Sequence, residues 1–165
     1  MRVECVRGVA IRLCLALILG LLAVSGYVVV PILFAKVGSS AEAGRLAGEI
    51  FHVMNLGVLL MAVAVGSFWM RTKNIARSNW ILLVLLLILI TVNEYAVSPL
   101  LADLKAAAGP IDALSSDDPK RVEFGMWHGI SATVHLLATI AAAGLVMLGG
   151  HKRSGSPQEA LCKKS

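Results

Sequence analysis

Charged side chains are scarce in this chain: Asp, Glu, Lys and Arg make up 15% of its 165 residues, against roughly a quarter in soluble domains. They are missing altogether from long runs. Residues 13–35, 50–70, 80–102 and 124–150 contain no Lys, Arg or Asp, and Glu94 is the single acidic residue among them. With 58% hydrophobic residues and a mean hydropathy of +0.81, the chain reads as an integral membrane protein. Four spans with short connections use up its length and leave no room for a separate soluble catalytic domain. The alternating pattern of a β-barrel is absent, as are internal repeats and low-complexity stretches. Only three cysteines occur, Cys5, Cys14 and Cys162. Their spacing fits no zinc or haem-attachment motif, and no disulfide is expected between them.

What is present divides by sign. Arg2, Arg7, Arg12, Arg71, Lys73, Arg77, Lys152, Arg153, Lys163 and Lys164 fall on one side of the spans. Lys36, Arg45, Lys105, Lys120 and Arg121 fall on the other, outnumbered there by acidic residues. Basic short loops stay in the cytoplasm, so both termini are expected there, in a bacterial inner membrane. The net charge of +5 then reflects topology and contact with lipid headgroups, not nucleic-acid binding. The basic start followed by Ala23-Val24-Ser25 resembles a signal peptide, but the apolar run continues through Phe34 and reads as an uncleaved span. Arg12, two residues before Cys14, argues against a lipid-attachment site.

The expected architecture is all-α: one four-helix transmembrane domain over 1–150, with helices at about 9–37, 40–71, 79–103 and 119–150 and a mobile polar tail over 151–165. Gly38 marks the end of the first helix, and Ser39-Ser40-Ala41-Glu42 has the spacing of a capping box for the second. Asp118-Pro119 supplies an N-cap and a first-turn proline for the fourth. Pro31 and Pro99 lie near the outer ends of the first and third helices, where each either kinks its helix or marks its end.

Ionisable residues inside a bilayer are costly and normally face the bundle interior. By depth, His52, Asn55, Glu94, His128 and His135 belong to one outer-half polar cluster, supported by Tyr27, Asn93 and Ser131. Helical spacing places Gly44, Gly48, His52 and Asn55 on one face, and Gly125, His128, Ser131 and His135 on another. Three readings stay open. The cluster locks helix packing; or it holds a metal or haem, with His52 and His128 the pair best matched in depth; or it moves protons between Glu94 and a histidine. His128 and His135 lie about 10 Å apart along one helix, by the 1.5 Å rise, too far to share one small ion.

Pro31-Ile32-Leu33-Phe34, Ala43 through Phe51, Asn93 through Pro99 and Phe124 through Ser131, taken in order, resemble the transmembrane protein 205-like family, catalogued as domain of unknown function 4149. That resemblance implies a four-span membrane protein without a defined reaction. A more distant similarity to the copper resistance D group and to membrane haem-binding protoporphyrinogen oxidases implies haem b or copper as a cofactor. The expected function is a structural or accessory, non-enzymatic membrane component, with a haem or copper redox protein and a proton-coupled transporter subunit as alternatives. Its partners would be the lipid bilayer and a second copy or a larger membrane complex.

Overall fold

The computed structural model describes residues 2–72, 75–109 and 111–149. They form four long helices, with no strand among the described residues. Helix α1 runs Arg2–Val24, passes through a π-helical segment Ser25–Val29 and resumes as Val30–Lys36. Helix α2 spans Ser40–Met70. Helix α3 runs Arg77–Val92, through a second π-helical segment Asn93–Val97, and on over Ser98–Ala108. A 3₁₀ turn, Ile111–Ala113, precedes helix α4, Pro119–Gly149. The spans Val6–Lys36, Ser40–Met70, Arg77–Ala108 and Pro119–Leu148 are each long and apolar enough to cross a membrane. The expected mobile tail, 151–165, lies outside the described residues, as do Lys73 and Pro110.

Local chemistry explains the helix ends. Ser39 is the N-cap of α2, and its Oγ accepts from the Glu42 backbone N–H at 3.4 Å. Asp118 does the same for α4, accepting from the Lys120 N–H at 2.8 Å. Helix α3 continues past Asp103 and stops at Gly109, whose φ of 69° is a conformation that side chains with a Cβ resist.

Successive helices are antiparallel, and each packs on two neighbours: α1 and α3 both lie against α2 and α4. One end of the bundle carries the residue 37–39 connection and the 109–118 loop; this is the loop end. The half away from it is filled with apolar side chains apart from Asn79, which is buried near the start of α3. Ile18, Leu22, Val58, Val65, Leu83, Leu86, Ile90 and Leu145 are fully buried there, with Ala62, Ala138, Ala141 and Ala142 letting the backbones approach. Lipid tails are as apolar as these side chains, so close van der Waals fit holds the helices together here, not the hydrophobic effect. The loop half buries Ser25, Asn55, Asn93, Glu94 and His135 instead.

Both π-helical segments lie two residues before a proline. Proline lacks the N–H of a helical turn, and its ring strikes the carbonyl four residues back. That carbonyl belongs to Tyr27 for Pro31 and to Tyr95 for Pro99. The wider π-turn gives it room: the Val30 N–H reaches back five residues to the Ser25 carbonyl, and the Ser98 N–H to that of Asn93. Neither proline ends its span.

These paired turns expose a repeat that the sequence conceals. Aligning Tyr27 with Tyr95 aligns Pro31 with Pro99, and it also pairs Leu15 with Leu83, Ile18 with Leu86, Leu22 with Ile90 and Ser25 with Asn93, all of them buried. Aligning His52 with His128 pairs Arg45 with Arg121, Asn55 with Ser131, Ala62 with Ala138 and Val65 with Ala141. The hairpin α1–α2 is thus repeated, in the same orientation, by α3–α4. The reading of no internal repeat is corrected on this point.

Candidate functional site

The site forms where α2 meets α3, in the loop half. The π-turn in α3 buries the adjacent residues Asn93 and Glu94 together with Val97. Glu94 turns towards α2 and Asn93 towards α4. Nδ1 of His52 and Oε1 of Glu94 are in direct hydrogen-bonded contact, while the Asn55 Nδ2 donates to Glu94 Oε2 at 2.7 Å. One carboxylate therefore has both oxygens engaged, one by a fixed amide donor and one by a titratable ring. Two acceptor oxygens matched by two donors is the arrangement that makes a buried carboxylate tolerable.

The two bonded partners differ sharply in exposure. The Glu94 side chain is 6% exposed and that of His52 is 59% exposed. His52 stands about one turn beyond the exposed ion pair of Arg45 and Glu49, 2.7 Å apart. Its Nδ1 is committed inward and its Nε2 is directed away from the carboxylate.

Behind this group lies a second set. The Ser131 hydroxyl donates to Asn93 Oδ1 at 2.9 Å, tying α4 to α3. His135 is buried, and its Nε2 donates to the Leu22 carbonyl of α1 at 3.1 Å. Its ring meets Phe51 edge to face with centroids 5.2 Å apart, and Tyr27 at 6.0 Å. Gly26 makes the fit: a Cβ there would overlap the His135 ring, coming within 2.9 Å of Cδ2.

Of the residues expected to converge, His52, Asn55 and Glu94 form one bonded group, Asn93 and Ser131 a second, and His135 a third with half-exposed Tyr27. His128 does not join. It is exposed, and its one described interaction is a stack on Phe124, 5.9 Å between centroids and 15° between planes. In α1, α3 and α4 the buried core stops at the level of Ser25, Val97 and His135, and His128 lies two turns beyond it. The expected depth match of His52 and His128 is therefore a match across the repeat, on different seams of the bundle. In the repeat, the residue that would face His128 as Glu94 faces His52 is Gly26, which has no side chain to offer.

Gly26, Phe51 and the Leu22 carbonyl were not anticipated from sequence. The signal that could have found Gly26 is the shared Tyr-x-x-x-Pro of α1 and α3. Among the described residues, no group of three or more His, Cys, Asp or Glu side chains is arranged to hold a metal ion.

No curated protein and no solved structure matches this chain. A family model does, over residues 13–110, from the first span through the whole of the α3 site. The chain is an integral membrane four-helix bundle, and it belongs to the family described as Domain of unknown function (DUF4149).

Proposed function

We propose that the protein is a non-enzymatic component of the bacterial inner membrane, of the transmembrane protein 205-like type, whose His52–Glu94–Asn55 group exchanges a proton at the outer surface. The observation that carries this reading is the opposed exposure of two bonded side chains, Glu94 at 6% and His52 at 59%. His52 connects a buried carboxylate to the interface. The basic residues at the other end of the bundle support an orientation with the loop end outside.

The chemistry balances in one step. In the starting state His52 is neutral with its proton on Nδ1, bonded to the Glu94 carboxylate. A proton accepted at Nε2 is matched by passage of the Nδ1 proton to Glu94 Oε1, leaving neutral histidine and a carboxylic acid. The largely apolar filling of the other half, where Asn79 is the buried polar residue, supports exchange on one side only, so the group serves a second copy or another membrane subunit, not passage through this bundle.

Isotope-edited infrared spectra of the reconstituted protein test the reading. A protonated-carboxyl band that grows as pH falls and vanishes in Glu94→Gln is the expected result. A wild-type spectrum with no such band between pH 4 and 9 contradicts it.

The open Nε2 favours a second reading. A carboxylate bonded to one imidazole nitrogen is how proteins orient histidine for a metal or haem at the other. One chain offers a single such nitrogen, so the second ligand would come from a second copy. An oxidised and reduced absorbance spectrum with metal analysis tests this directly.

A further inference from the structure

Beyond the His52–Glu94 bond, the loop-half layer contains two buried acceptors that no protein group satisfies, Asn55 Oδ1 and His135 Nδ1. Their acceptor character is fixed by their other bonds. The Asn55 amide nitrogen must face Glu94 Oε2, because a carboxylate oxygen there needs a donor; this leaves Oδ1 as the free atom. His135 Nε2 faces the Leu22 carbonyl, which can only accept, so Nε2 holds the ring proton and Nδ1 keeps a lone pair. Asn55 is 0% and His135 7% exposed.

Neighbouring contacts link the two residues. Phe51 lies one turn before Asn55 on α2 and packs its ring against His135. Ser131 lies one turn before His135 on α4 and is bonded to Asn93, the neighbour of Glu94. The imbalance thus has a single sign: two acceptors, one on α2 and one on α4, and no donor for either. A buried polar group normally finds a partner, and ordered water is a common one where a site is polar and enclosed.

We infer that this layer binds a small molecule with at least two O–H or N–H donors, held by Asn55 Oδ1 on one side and His135 Nδ1 on the other. Water has this chemistry, and so does a small amine or amide solute. The inference deepens the proton-exchange reading, because such a guest would run one hydrogen-bonded string from His52 on α2 through Glu94 on α3 and Asn55 to His135 on α4 and the Leu22 carbonyl on α1. It does not require Glu94 to change its protonation.

Solid-state NMR of ¹⁵N-histidine-labelled protein in hydrated lipid bilayers tests it on the unmodified chain. The His135 signals are assigned by their loss in His135→Gln. If that variant does not fold, replacing the other three histidines one at a time assigns them by elimination. The expected result is an unprotonated Nδ1 shifted as a hydrogen-bond acceptor. Rapid magnetisation transfer from water protons identifies the guest as water, and the same shift without that transfer identifies a bound solute. An Nδ1 with the shift of a bare lone pair, or an Nδ1 that carries the proton, overturns the inference. The infrared band of Glu94 is read separately, so failure of the exchange reading leaves this result standing or falling by itself.

Discussion

Gly26 and Glu94 hold equivalent places in the two hairpins, each the second residue of a π-helical segment and the one just before an aligned tyrosine. Where Glu94 reaches across to His52, Gly26 yields its space to the His135 ring. The bundle therefore keeps one His–Glu pair, on the α2–α3 seam, and fills the corresponding place on the α1–α4 seam with an imidazole bonded to backbone. One fold unit, used twice, carries two different polar arrangements at one depth.

This relationship makes Gly26 a sensitive position. Gly26→Ala is expected to destabilise the protein by about 1–3 kcal/mol, the usual cost of overpacking a filled site. The cost should largely disappear in the background of His135→Ala, which removes the obstructing ring. Gly129→Ala is the control: a Cβ there meets nothing within 4 Å, and alanine is the better helix former. Denaturant titration in mixed micelles, followed by helical circular dichroism, reads all four variants. Equal effects of Gly26→Ala with and without His135 would contradict the packing described.

The His52–Glu94 contact should show as coupling. Glu94→Ala leaves the buried Asn55 amide without its acceptor and is expected to cost about 1–3 kcal/mol. His52→Ala should cost less, since that side chain is largely exposed. A double-mutant cycle over the two positions is expected to give an interaction energy of about 0.5–3 kcal/mol. Additive losses would mean that the two side chains act independently.

His128 provides the contrast. It is exposed and stacked only on Phe124, so His128→Ala is expected to change stability by no more than about 0.5 kcal/mol. It should also leave the infrared band of Glu94 where it was. A shift of that band in His128→Ala would place His128 in the site, against the geometry.

The haem or copper reading makes a separate prediction. If His52 supplies a ligand through Nε2, the purified protein carries a reducible Soret band or stoichiometric copper that is lost in His52→Ala and kept in His128→Ala. The proton-exchange reading predicts a colourless preparation in which both variants behave alike optically.

Much of this was legible in the sequence because membrane constraints are severe. Four charge-free runs give four spans, Ser39 and Asp118 announce their own caps, and the depth of His52, Asn55 and Glu94 brings them together. What escaped has physical causes. Helical periodicity places His128 and His135 on one face, but a face is buried only where a neighbour covers it, and the buried part of α4 begins at His135. Which of the adjacent Glu94 and Tyr95 turns inward is set by the π-turn, which buries Glu94 and leaves Tyr95 62% exposed. No count of residues per α-helical turn includes that extra residue. The repeat was hidden because only sparse identities, such as the tyrosine and proline of α1 and α3, mark it in the sequence.

The most direct measurement of the central claim is the ¹⁵N spectrum of His52 in lipid bilayers as a function of pH, in the wild type and in Glu94→Gln. The account predicts a strongly hydrogen-bonded Nδ1 proton in the wild type, a pH-dependent transfer of protonation to Nε2, and collapse to an ordinary exposed imidazole in the variant. Identical His52 spectra in the two proteins would contradict it.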